Sequence, residues 1–254
     1  MTSGFMSSLR SFPPLGVAAL LVATLGARGD EPPAVQADIG YASRYVFRGI
    51  ERAGQSAQAG VELTRENFHT GLWLNQPLES NGTRETNLRM AYAGQPAKGL
   101  TLEASVTHSW FSDTPGGDVK RTLEAGLTAA VAAGNGFVPS VAYFHDFRLH
   151  ANTTQVSLER SIALTKLGAF LELNFFAGWA TGDNWRPDTP GPQRHDSYGY
   201  WGGEARLPYR IGPHSTVTAG LHYADATGRS ATNGPFGLAA RQNLWATLGV
   251  NLDF

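Results

Sequence analysis

The sequence predicts an all-β protein: a transmembrane, antiparallel, up-and-down β-barrel of about twelve strands that follows a cleaved signal peptide. Three observations point there. Apolar residues recur at every second position along most of the chain, a short apolar segment stands near the N-terminus, and the chain ends in an alternating strand that closes on Phe254. The composition agrees. Of 254 residues only 16% are charged, against ~25% in soluble domains, and glycine reaches 30 residues. Lys and Arg (20) nearly balance Asp and Glu (21), so the basic face of a nucleic-acid binder is missing. An aromatic content of 11% is too high for an acidic disordered chain. The absence of cysteine excludes disulfide scaffolds, thiolate zinc sites and thiol nucleophiles, and no cofactor or metal is implied.

Taken in order, residues 1–29 read as the signal peptide and 30–254 as the barrel. The run from Leu15 to Leu25 is apolar or small throughout, follows Arg10, and precedes Gly26, Ala27 and Gly29. It is shorter than the ~20 residues of a membrane helix and fits the core of a secretory signal. From Val35 the period is two. Val35, Ala37, Ile39, Tyr41, Tyr45 and Phe47 share one face of a first strand, with Asp38, Arg44 and Arg48 on the other. The alternation returns at 57–63, 100–106, 123–129, 169–179 and 217–223, and more weakly at 68–75, 86–94, 137–146, 154–164 and 198–207. Pro139 weakens one of these, because proline cannot donate a ladder hydrogen bond.

Strands of ~8–12 residues suit a tilted membrane crossing, and an even number puts both termini on the periplasmic side. Short connections at 65–67, 95–99, 132–136, 165–167 and 208–214 alternate with longer ones at 77–84, 112–118, 146–152, 180–196 and 225–242. That is the pattern of periplasmic turns and outer loops; only the first outer loop, 50–54, reads as short.

In the last strand Leu244, Ala246, Leu248, Val250, Leu252 and Phe254 form an unbroken apolar face. It resembles the C-terminal strand of bacterial outer-membrane proteins, so Phe254, Leu252, Val250 and Leu248 are the expected signal for the barrel-assembly machinery. Trp110, Tyr143, Trp179, Tyr223 and Phe254, with Tyr45 and Phe47, suit an outward aromatic girdle at the lipid–water boundary.

If the apolar face meets outer-membrane lipid, the other face lines a lumen. Arg44, Arg48, Glu62, Arg89, Glu103, Lys120, Glu124, Glu172, Glu204 and Arg206 are the candidate pore-lining residues, with Asp38 and Glu159 also inward. Charge belongs there, because Arg or Lys on the lipid face costs ~2–4 kcal/mol at mid-membrane. Arg44 and Arg48, four apart on one strand, would form a local basic ladder. Twelve strands lie between side-chain-filled and wide-open barrels, so a narrow or plugged passage is expected. Two accounts fit: ion pairs bracing the wall without flux, or a charged constriction that filters small polar solutes.

Tyr41-Ala-Ser-Arg-Tyr-Val-Phe-Arg-Gly49 resembles the first-strand signature of the TorF-like porins of bacterial outer membranes, and 57–63 with 68–73 resembles that family's second hairpin. The matching positions are Tyr41, Ser43, Tyr45, Phe47, Arg48, Gly49, Gly71 and Trp73. Arg44 departs from the family's usual Asp or Lys, and Leu74 from its small residue before Asn75. The resemblance implies an outer-membrane pore and names no substrate.

No serine-hydrolase elbow, His-Glu-x-x-His pair, phosphate loop or dinucleotide fingerprint occurs, so no enzyme is expected. The expected function is passive diffusion of small polar solutes, by a monomer or small oligomer. The alternatives are an outer-membrane hydrolase using His108, His145 and Asp146, and a non-conducting surface or adhesion barrel acting through its outer loops.

Overall fold

The computed structural model of the chain describes residues 33–80, 82–112, 119–183, 196–227 and 243–254. The signal segment 1–29, Asn81, and most of the expected outer loops at 112–118, 180–196 and 225–242 lie outside the described residues. The strands in chain order are β1 (Ala34–Ala42), β2 (Tyr45–Phe47), β3 (Ile50–Ala53), β4 (Ser56–Arg65), β5 (Phe68–Pro77), β6 (Arg84–Ala97) and β7 (Leu100–Ser112). Then follow β8 (Arg121–Val131), β9 (Phe137–Asp146), β10 (Ala151–Leu164), β11 (Ala169–Gly182), β12 (Asp196–Gly212), β13 (Ser215–Thr227) and β14 (Asn243–Asp253). Among the described residues, twelve strands close into one antiparallel barrel, and β2 and β3 form a separate two-stranded hairpin.

Closure follows from β1 having a partner on each side. Gln36 lies opposite Asp253 of β14 and Glu62 of β4, and Val35 and Phe254 exchange backbone hydrogen bonds of 3.3 and 2.9 Å. Among the described residues every barrel strand then has a neighbour on both sides, as a lipid surround demands. Two prolines fit at the ends of ladders. Pro139 pairs with Leu158 of β10 but lies past Ser140, where the β8 ladder stops; Pro208 lies past Arg206, where β11 stops.

The short turns after β4, β6, β8, β10 and β12 share one end of the barrel with Ala34 and Asp253. By the pattern of outer-membrane barrels this is the periplasmic end. No helix among the described residues is long and apolar enough to cross a membrane.

The period-two pattern sorts the two faces. Ile39, Val106, Leu127, Val156, Leu221 and Leu248 are exposed outward as an apolar belt. Tyr41, Trp110, Tyr143, Trp179 and Trp201 stand toward its outer rim, and Phe68, Tyr92, Phe170, Tyr209 and Phe254 near the opposite rim. Within the expected assembly segment, Leu248, Val250 and Leu252 stand opposite Tyr41, Ile39 and Ala37 of β1. A Cβ on Gly202 would run into the Tyr223 carbonyl oxygen, so β12 and β13 meet this closely only because that position is glycine.

One stretch corrects the sequence reading. The expected first strand through Phe47 stops at Ala42, and Tyr45 and Phe47 belong to the β2–β3 hairpin instead of the outer girdle. Tyr45 is buried against Trp73, with ring centroids 5.2 Å apart, and Phe47 packs on the same cluster. The first outer connection is therefore the long stretch 43–55, folded into the lumen.

Candidate functional site

The hairpin starts where β1 ends. Ser43 N–H donates to the Ala246 carbonyl (2.9 Å) and Ala246 N–H donates to Ser43 Oγ (3.0 Å), which anchors the departing chain to β14. β2 and β3 then pair Phe47 with Ile50 across a two-residue turn. Both turn residues are left-handed, Arg48 at φ 50° and Gly49 at φ 77°, the geometry that matches strand twist in a tight hairpin. A Cβ on Gly49 would lie 2.8 Å from Tyr200 Cβ and 3.0 Å from Ala226 Cβ, so the hairpin tip abuts the inner wall of β12 and β13.

Two charged latches hold it. Arg48 donates to both carboxylate oxygens of Glu124 on β8, at 2.7 and 3.0 Å. Arg52 donates to Glu85 Oε2 on β6 at 2.8 Å, the oxygen that also accepts from Tyr45 Oη at 2.9 Å. Burial opposes the charge on both guanidiniums, but the carboxylates outweigh it and hold each above its ordinary pKa. Aromatic faces complete the seats: Arg48 lies over Phe144 at 4.5 Å, and Arg52 over Phe47 at 4.2 Å. Ile50 packs into an apolar cluster with Phe111, Val119, Leu149, Tyr198 and Tyr200.

The hairpin divides the lumen. On one side lies a cavity of about 180 Å³ between the hairpin and strands β6 to β11, lined by Arg48, Arg52, Glu85, Arg89, Glu103 and Glu124 among others. On the other side Asp38, Glu62, Glu172, Glu204, Arg206 and His222 line a second compartment against β12, β13, β14, β1 and β4.

Seven of the expected pore-lining residues face these compartments from barrel strands. Arg89 pairs with Glu103 across β6 and β7, and Arg206 with Glu172 at 3.4 Å across β12 and β11. Glu204 accepts from Asn174 Nδ2 at 3.0 Å and lies 3.0 Å from His222 Nδ1. Glu62 lies 3.6 Å from His69 Nδ1, and Glu124 receives Arg48.

Three expectations are corrected. Arg48 reaches the lumen from the hairpin turn, and Arg44 lies before β2, half-exposed and 3.7 Å from Glu51, so the two form no ladder on one strand. Lys120 precedes β8 and is exposed, because the strand begins one residue later. The hydrolase group does not assemble either: Asp146 faces the first compartment, while His108 and His145 lie on the outward parity of their strands, with Val106 and Tyr143.

Arg52 and Glu85 were missed. Glu85 shares strand parity with Arg89, four residues on, so the inward face of β6 carried the signal. Arg52 had none while 50–54 read as a short loop.

This architecture is that of the outer-membrane, porin-like barrels. Among solved structures the chain is similar to the NanC porin (TM-score 0.54, 11% identity, 87% of this chain and 100% of that one). It is also similar to the KdgM porin (0.55, 9%, 87% and 99%) and to the COG4313 outer membrane channel from Pseudomonas putida F1 (0.54, 10%, 90% and 100%). No family model and no curated protein matches the chain.

Proposed function

We propose that the chain is an outer-membrane channel of the TorF-like porin kind, which passes small polar solutes by passive diffusion. The observation that carries this reading is the inserted hairpin. It narrows a barrel that would otherwise hold a wider passage, and leaves compartments walled by charged and hydroxyl side chains such as Thr107, Ser109, Thr122 and Thr128. A sealed structural barrel fills its interior with apolar or fully paired groups; here Ser, Thr and Asn line the free space beside the ion pairs. A polar solute crossing it exchanges water contacts for wall hydroxyls and carboxylates, while the apolar exterior rests in outer-membrane lipid.

The terminal strand supplies the remaining partner. Phe254, Leu252, Val250 and Leu248 are the segment offered to the barrel-assembly machinery before β14 closes on β1. One related structure is described as the KdgM porin in complex with disordered oligogalacturonate. At 9% identity the shared fold brings no solute with it.

Planar-bilayer recording of the refolded protein tests the proposal. Stepwise currents at low voltage are expected. A folded, inserted protein that passes no current at any voltage refutes it and leaves a non-conducting surface barrel as the reading.

A further inference from the structure

We infer that the lumen is selective for cations, so that the solute class is small inorganic and organic cations and small anions are held back. The inference rests on the channel reading above and gives it a substrate class.

The charge lining the two compartments is lopsided among the described residues. In the first, Glu85, Glu103, Glu124, Asp146 and Glu159 face Arg48, Arg52 and Arg89. In the second, Asp38, Glu62, Glu172, Glu204 and Asp253 face Arg44 and Arg206. Carboxylates thus outnumber guanidiniums two to one. The guanidiniums are also engaged: Arg48 with Glu124, Arg52 with Glu85, Arg89 with Glu103, Arg206 with Glu172, and Arg44 with Glu51. What the passing solute meets is the surplus of negative charge. Low-dielectric walls focus that field along the pore axis.

The surplus is densest beside β1. Asp38 lies flat over Gly60, which has no side chain to displace it, and Glu62 follows two residues along the same face of β4. No cationic side chain pairs with Asp38 among the described residues. Two neighbouring carboxylates of one sign repel each other, and a mobile cation between them relieves that repulsion.

A second observation is independent of the charge count. Asn87 is only 7% exposed and donates its Nδ2 to Glu85 at 2.9 Å. The carboxylate fixes the direction of the amide, so Oδ1 is left with no donor at the edge of the first compartment. Asn174 repeats the arrangement: Nδ2 donates to Glu204, and Oδ1 has no donor. Both oxygens are sealed within the wall, and their partial negative charge adds to the field of the compartment that these residues line.

The test is the reversal potential of the full-length refolded protein under a potassium chloride gradient, with liposome swelling in lysine and in glutamate as a second readout. Potassium is expected to permeate several-fold faster than chloride, and lysine faster than glutamate. Asp38→Asn with Glu62→Gln should bring both ratios toward one without abolishing current. A current with no preference, or with a preference for anions, overturns this inference and leaves the channel reading standing. So does a double variant whose ratios match the wild type. If that variant does not assemble, the wild-type ratios decide alone. Absence of any current overturns the channel reading, and this inference with it.

Discussion

Removing the Glu85 side chain should release the hairpin. Glu85 accepts from Arg52 at 2.8 Å, from Tyr45 Oη at 2.9 Å and from Asn87 at 2.9 Å, and the Arg52 and Glu85 side chains are only 8% and 3% exposed. Glu85→Ala leaves a buried guanidinium without its counter-charge, a loss of ~3–5 kcal/mol in sealed interiors. Water can enter the lumen beside the hairpin, so the lower end applies. Since ~1.4 kcal/mol is tenfold in an equilibrium, ~3 kcal/mol raises the undocked population on the order of 100-fold. The chain has no cysteine, so Ile50→Cys gives a single thiol at a position 3% exposed when the hairpin is docked. Its maleimide labelling rate follows the undocked fraction when docking is fast relative to reaction. Adding Glu85→Ala should speed labelling on the order of 100-fold and raise single-channel conductance. Adding Arg52→Ala as well should restore part of the protection, because no charge is then stranded. An unchanged labelling rate in Glu85→Ala would refute the latch.

Deleting Phe254 removes the reciprocal hydrogen bonds with Val35 and the aromatic end of β14, so heat-modifiable folded barrel in the membrane fraction should fall sharply. Val156→Lys places a charge on a lipid-facing position of β10 and should destabilise the barrel by ~2–4 kcal/mol, read as a lower urea midpoint in lipid vesicles. Gly202→Ala forces β12 from β13 at the Tyr223 carbonyl and should lower stability by ~1–3 kcal/mol in the same titration.

The barrel wall was legible because its physics repeats. Each wall strand separates lipid from lumen, so alternation survives wherever the strand is sampled, and β9 (Phe137–Asp146) matches its expected bounds even with Pro139 inside. The hairpin was illegible for the same reason. Tyr45 and Phe47 continue the alternation of β1 because they too have an apolar side, which packs on Trp73 and Arg52 instead of lipid. Only Ser43 interrupts the apolar face, and Arg48-Gly49 lacks the Asn-Gly signature of a tight turn. Glu62, Arg89, Glu103, Glu124, Glu172, Glu204 and Arg206 share the parity that faces the two compartments, and parity is local. Their pairing was out of reach, because Arg48 and Glu124 lie 76 residues apart in sequence.

The attachment of the hairpin to β1 also orders events in time. β1 meets β14 last, since Gln36 and Asp253 are 217 residues apart in the chain. The seats for the hairpin come from β6, β8, β12 and β13, nearly the whole circumference. Its anchor at Ala246 exists only once the seam has formed. The hairpin therefore gains its full set of contacts only in a closed barrel, and its docking is tied to the joining of the first and last strands.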